Sequence, residues 1–354
     1  MKHRFIILLF SAALILTATI GVGSQFNQSG NAPVKSAYWW KTTLRSTDSV
    51  NEAIKKHGIK KLYVRFFDVG YSEYSNTILP EAVFEASQNV QVQEIVPVVF
   101  IVRDVLSALK SPQSIATLAG DIVRKAGCTP ELNTAATGPG RPFKELQIDC
   151  DWRDSAQNTY FALLREIKSR IGTMQLSVTL RLYPFRYRQK CGVPPADKAA
   201  LMLYNLADLR NMAIEHAVYN PADATDYFQG QEPYPLPLDI ALPSFGMGRV
   251  FSRNGDFERL ETLEDADNTI QTGVREKDNL FRIPFSWSRW SSTPDDAYYY
   301  IRRDVCSLSD LKHAAGLSAR YLRHSGNVIF FELGSPVFKQ FKPHELETVL
   351  TEYR

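Results

Sequence analysis

Six histidines are scattered through the 354 residues, and none stands at metal-ligand spacing from another. The sequence has no G-x-S-x-G turn, which removes the nucleophile elbow of a serine hydrolase. No glycine-rich turn follows the first β-prone segment, AYWWKTT (37–43), so the phosphate-binding turn of a doubly wound dinucleotide fold is missing as well. Charge of one sign is not in excess: a net +3, mixed along the chain, gives no field for nucleic acid. The basic runs RYRQK (186–190) and IRRD (301–304) read as solvated faces. Only four cysteines are present, Cys128, Cys150, Cys191 and Cys306, without metal spacing. In an oxidising compartment they allow up to two disulfides in any of three connectivities, while Cys150, in mid-strand, reads as a buried free thiol. Nothing in the sequence asks for a metal or another cofactor.

Long apolar runs are also scarce, and the one present is at the start. MKHR is followed by the uncharged FIILLFSAALILTATIGVG and by small residues before Gln25. This is the pattern of a secretory signal peptide over residues 1–24, with an uncleaved anchor as the other outcome. A Gly/Ser/Asn/Gln-rich tether spans residues 25–33. The mature chain is then expected in the periplasm, in the cell envelope or outside the cell, touching a membrane only through an uncleaved N-terminal segment.

What remains, residues 34–354, alternates strands and helices. Strand-like runs occur at AYWWKTT, KKLYVRFFDV (60–69), EIVPVVFIV (94–102), KELQIDCDW (144–152), QLSVTLRLYPF (175–185), AALMLYNL (199–206), LDIALPSFG (238–246) and NVIFFELGS (327–335). Amphipathic helical segments such as SAQNTYFALLREIKSRIG separate several of them. Eight strands of this kind predict an α/β fold, a (β/α)8 TIM barrel. The connection after strand seven, residues 247–306, is too long for a plain loop and carries β-prone stretches. A small inserted subdomain at 250–305 is expected there.

Sites in such barrels lie at the C-terminal ends of the strands. The polar residues at those ends include Lys41, Asp68, Asp149, Asp151, Arg181, Tyr183, Tyr204, Asn205 and Glu332. Strand four is the most informative. Side chains alternate along it, so Gln147, Asp149, Asp151 and Arg153 share one face, and Leu146, Ile148, Cys150 and Trp152 the other. The apolar set packs under helices, which turns the acids into the barrel. Neighbouring inward carboxylates repel, so either one carries a raised pKa or a cation such as Arg153, Arg181 or Lys41 pairs with them.

LQIDCDWR resembles the fourth-strand signature D-x-x-D-x-D-x-E of family-18 glycoside hydrolases, the chitinase-like enzymes. Asp149 and Asp151 fall on its second and third Asp, Leu146 on the first, and Arg153 on the Glu. LMLYN is similar to the family's M-x-Y-D, with Tyr204 matching and Asn205 in place of Asp. LPSFGMGR resembles its P-x-Y-G-R segment, after which the family often inserts a small domain. In GNVIFFELG, Phe331 stands where the family has a substrate-stacking Trp. The front part of the chain is similar to secreted bacterial barrel proteins, a likeness that carries no function.

The resemblance implies a barrel that acts on or binds a glycan, with one large departure. The family's Glu donates a proton to the leaving oxygen. A guanidinium stays charged at neutral pH and cannot do so. Any hydrolysis therefore falls to another carboxyl, Asp151, Glu332 or Asp149, and the alternative is a non-catalytic glycan-binding or structural envelope protein. Arg153 itself is expected beside the two acids, holding both charged, and with Arg181, Lys41 and Asp68 it belongs to the polar lining. A rim of aromatics, among them Trp39, Trp40, Tyr183, Phe185, Tyr187, Tyr227, Tyr234, Trp287 and Trp290, offers flat faces to sugar rings, with Trp287 and Trp290 supplied by the insertion.

Overall fold

The computed structural model describes residues 33–353, apart from 42, 45–46, 82, 84, 87–89, 129–141, 285–297 and 323–325. The expected leader, all of the tether but its last residue, Trp287 and Trp290 lie outside the described residues.

Eight strands form the barrel: β1 (Val34–Trp39), β2 (Lys61–Ser72), β3 (Glu94–Ile101), β4 (Glu145–Asp149), β5 (Gln175–Arg181), β6 (Lys198–Met202), β7 (Leu238–Pro243) and β8 (Asn327–Phe331). Each pairs in parallel with its sequence neighbours, and β1 pairs with both β8 and β2, which closes the ring. The strands are buried on both faces, as a helix-wrapped parallel sheet requires. Strand β3 runs through Pro97, which lies opposite Val64. One step further on, β2 bulges between Arg65 and Phe67, an irregularity of the kind that re-aims side chains at barrel rims.

Local chemistry sets the helix starts. Ser111 caps Pro112–Lys125 by accepting from the Ser114 amide, with Ser114 bonding back, and Ser307 caps Leu308–Ser318 in the same way with Asp310. The helix Gln157–Lys168 buries Tyr160, Leu163, Leu164 and Ile167 against the barrel, and Gly172, at φ 62°, takes the left-handed turn that follows it.

Several strands end earlier than their sequence runs. QLSVTLRLYPF is a strand only to Arg181, and Leu182–Arg186 then forms a helical turn. Pro184 sits in the first turn of that helix, where its missing N–H costs nothing. Strand β4 likewise ends at Asp149, so Asp151 and Arg153 belong to the loop above it.

Inward residues of the lower barrel form a buried polar network. Lys198 Nζ lies 2.8 Å from Glu145 and 2.7 Å from Asp239. Lys61 also reaches Glu145, at 3.1 Å, and Asn327 donates to Asp239 from its backbone and its side chain. Above it, Tyr38 donates to Gln147 at 2.7 Å. Charges at this depth are tolerated because each meets an opposite charge or a hydrogen bond.

Between β7 and β8 the chain builds a five-stranded antiparallel sheet, from Gly246–Phe251 to Tyr298–Val305. Its small core contains Val250, Ala266, Phe281, Ile283 and Ile301. The run IRRD is not a solvated face. It lies in this sheet, where Arg302 is buried and donates to the Met212 carbonyl and to Asn279. Fully buried Arg249 meets Asp304 at 2.8 Å and donates to the carbonyls of Asn211 and Ile214. The insertion thereby holds the long loop that follows β6. Cys150, Cys191 and Cys306 are buried free thiols, and Cys128 is buried as well.

Candidate functional site

Alternation along β4 places Glu145, Gln147 and Asp149 inside the barrel, each bonded to other inward residues. Leu146 and Ile148 are fully buried on the opposite face, and Trp152 stacks on Tyr160 of the flanking helix at 5.1 Å. Asp149 is the uppermost of the inward set. It is 8% exposed and accepts a 2.5 Å hydrogen bond from Thr179 Oγ1 on β5. Burial pushes its carboxyl up to about 7, and the nearby Asp151 adds to this. The Thr179 bond and the charges of Arg181 and Arg65 oppose it.

Asp151 stands at the mouth, partly exposed. Arg181, from the end of β5, meets its Oδ2 at 2.6 Å and also donates to the Asn205 carbonyl at 3.1 Å. Arg103 donates to the Asp151 backbone carbonyl at 3.3 Å. Arg153 is not the partner of these acids. Its side chain is exposed, and its backbone leads into the short 3-10 turn Asp154–Ala156. Four residues beyond the strand end, the chain has already turned outward, so the cation beside the acids is Arg181. The expectation that Arg153 holds both acids charged fails with it, since Asp149 is shifted up.

The remaining mouth is aromatic and ion-paired. Tyr204 stacks on Phe331 at 5.0 Å, and Phe331 meets Trp40 at 5.6 Å. The Arg65 guanidinium lies 5.3 Å from the Trp40 ring and 5.8 Å from Phe100, and grips Asp68 through two nitrogens, one at 2.6 Å. Asp68 is therefore a buried ion-pair partner. Glu332, at the end of β8, accepts from the Trp40 amide at 3.2 Å. Burial raises its carboxyl, and the charge of Lys41, which is itself exposed, works against that. Asn205 adopts φ 54°, and its Oδ1 is buried with no hydrogen-bond partner among the described residues.

The structure thus brings Asp149, Asp151, Arg181, Tyr204, Asn205 and Phe331 to one end of the barrel, with Asp68, Glu332 and Lys41 around them. Tyr183 lies further out, 44% exposed, two residues beyond Arg181. Trp39, Phe185 and Tyr234, expected on the rim, are core residues. Thr179 was missed. Thr179 could have been found from the spacing of Ser177, Thr179 and Arg181 along one face of β5. Arg65 shares its face of β2 with inward Lys61 and Tyr63, so alternation alone places it there. Among the described residues no group of three or more His, Cys, Asp or Glu side chains could hold a metal ion, and no helix is long and apolar enough to cross a membrane.

No protein-family model and no curated protein sequence matches the chain. Among solved structures it is similar to the spore cortex-lytic enzyme SleL of Bacillus cereus, with a TM-score of 0.53 and 14% identity over 92% of this chain and 75% of that one. It is also similar to a chitinase from Chromobacterium violaceum, with a TM-score of 0.49 and 13% identity over 90% of this chain and 99% of that one. Identities this low speak to architecture alone. By its fold, the chain is a closed (β/α)8 barrel, similar in architecture to that cortex-lytic enzyme.

Proposed function

We propose that this is an exported barrel protein that binds a glycan at the C-terminal mouth of its strands and has lost the family's route to cleaving it. The observation that carries the proposal is the Asp151–Arg181 pair set beside the rings of Tyr204, Phe331 and Trp40. Sugar rings present flat C–H faces to aromatic surfaces, and their hydroxyls need charged or amide partners at the edge. Asp151 keeps acceptor capacity beyond its one bond to Arg181, and the unpartnered Oδ1 of Asn205 adds another acceptor.

Cleavage lacks its donor. Arg153 carries no transferable proton at neutral pH. Asp149 is raised to about 7 and holds a proton part of the time, but it is buried below the mouth and committed to Thr179. The spore cortex-lytic enzyme and the chitinase are named as enzymes of glycan breakdown; what is carried to this chain is the glycan, not the reaction. A second reading, weak hydrolysis by a relocated acid, is favoured by Glu332 alone, whose raised carboxyl stands at the same rim.

The test is a titration of the mature protein with chito-oligosaccharides and peptidoglycan fragments by calorimetry, with hydrolysis followed in parallel. Binding without product is the expected result. Robust turnover lost in Glu332→Gln would establish the second reading. Absence of binding to any glycan would reject the first.

A further inference from the structure

From the exposed aromatic residues after β5 we infer a second sugar-binding position outside the mouth, formed by Tyr183 and Tyr187; it rests on the glycan reading of the mouth. Both tyrosines are 44% exposed, and their rings lie 4.7 Å apart at 49°. Tyr74, the other large exposed aromatic among the described residues, sits in the turn of a hairpin at the end of β2 and has no ring partner. The pair is on the connection that follows β5, the strand that delivers Arg181, so it stands at the end of the barrel that carries Asp151. Tyr227, from the helix Pro221–Phe228, lies near Arg181 and both tyrosines.

The platform is held rigidly. Leu182, Pro184 and Phe185 of the same turn are buried, and Phe185 packs against Phe228, Tyr234 and Tyr321. Lys190 lies 5.8 Å from the Tyr183 ring, donates to its hydroxyl at 3.3 Å, and is fixed by Asp154 at 2.8 Å. Arg186 lies 5.7 Å from the Tyr187 ring and donates to the Asp226 carbonyl. Two half-exposed rings on an anchored turn present apolar surface to solvent without the rotamer freedom that weakens flexible contacts. Hydroxyl and ammonium groups at the edge supply hydrogen bonds. This is the chemistry that stacks a pyranose ring. The ligand is therefore an extended oligosaccharide, with one unit at Asp151 and a later unit over the tyrosines.

The consequence is a dependence of affinity on chain length that belongs to these two residues. Chitobiose and chitohexaose are titrated against the full mature chain, the double variant Tyr183→Ala/Tyr187→Ala, the ring-preserving Tyr183→Phe/Tyr187→Phe, and Tyr74→Ala. Wild type is expected to bind the hexamer about tenfold more tightly than the dimer, the effect of one good aromatic contact. The double alanine variant should lose that advantage and keep its dimer affinity. The phenylalanine variant should retain most of the advantage, and Tyr74→Ala all of it. A hexamer advantage that survives the double alanine change, or is absent from wild type while both sugars bind, overturns the platform alone. Failure of wild type to bind either sugar overturns the mouth as a chitin-type site together with the platform.

Discussion

Replacing Asp149 by Asn should stabilise the protein, and only above acidic pH. In the fold the carboxyl titrates at about 7 against an ordinary value of 3.8. Between those two values the folded state binds more protons than the unfolded chain, so stability falls as pH rises through this window and levels off above it. Each tenfold change in proton affinity is worth about 1.4 kcal/mol, and about three such steps give a ceiling of ~4 kcal/mol at pH 8. The amide of Asn still accepts the Thr179 hydroxyl, but has no charge to desolvate. Wild type and variant should therefore match near pH 4 and separate by up to ~4 kcal/mol in urea denaturation at pH 8. At ~1.5 °C per kcal/mol for a chain of this size, that corresponds to a melting gap of ~6 °C. Buried His57, which burial pushes down to about 4, acts in the opposite sense: its contribution is present above its ordinary value and lost as pH falls. It is common to both proteins and cancels in the difference. A gap that stays flat from pH 4 to pH 8 would refute the burial of an inward carboxyl at position 149.

Asp151→Asn should weaken oligosaccharide binding by about tenfold or more in calorimetry, because a charged acceptor is lost at the mouth. Arg153→Glu should yield at most trace turnover of chito-oligosaccharides in a reducing-end assay; vigorous turnover would mean that the rest of the machinery is intact despite Leu146. Arg249→Ala removes a cation with no exposed surface from Asp304 and from the carbonyls of the loop after β6, and should cost about 3–5 kcal/mol in urea denaturation.

The barrel was legible because its strands are buried on both faces and stand out as apolar runs between amphipathic helices. The inward set Gln147 and Asp149 was legible from period-two alternation, since a strand offers no other way to hide Leu146 and Ile148. That logic ends where the strand ends. Arg153 was carried inward by the same alternation, but the chain leaves the sheet after Asp149 and residue 153 turns out to solvent. Arg181 could be placed because β5 keeps its pairing up to that residue. The strand ends of β5 and β8 were drawn too late for a related reason: LYPF and ELGS are apolar or β-tolerant, and hydrophobicity does not say where a neighbouring strand stops. Arg302 looked like a surface charge because its partners, Met212 and Asn279, are 90 and 23 residues away. Long-range satisfaction of a buried cation leaves no local mark.

The charge balance of the mouth separates a neutral sugar from an acidic ligand. Arg65 is paired with Asp68 and Arg181 with Asp151, while Asp149 lies buried beneath. The two arginines beside the rings, Arg65 and Arg181, each already meet a carboxylate at contact distance, so an anion bound at either would have to displace one. A neutral sugar displaces nothing; its hydroxyls use the lone pairs and N–H groups that the ion pairs leave over. Screening acts on charges separated by more than a Debye length, which shrinks from ~10 Å at 0.1 M salt to ~3 Å at 1 M, and hardly touches hydrogen bonds made in contact. Affinity for chitohexaose should therefore change less than about twofold between ~0.05 and ~0.5 M sodium chloride, a range over which binding led by long-range charge attraction would fall steeply. The measurement is calorimetry at matched pH. A steep loss with salt would place net positive charge at the binding surface and point to an anionic ligand instead.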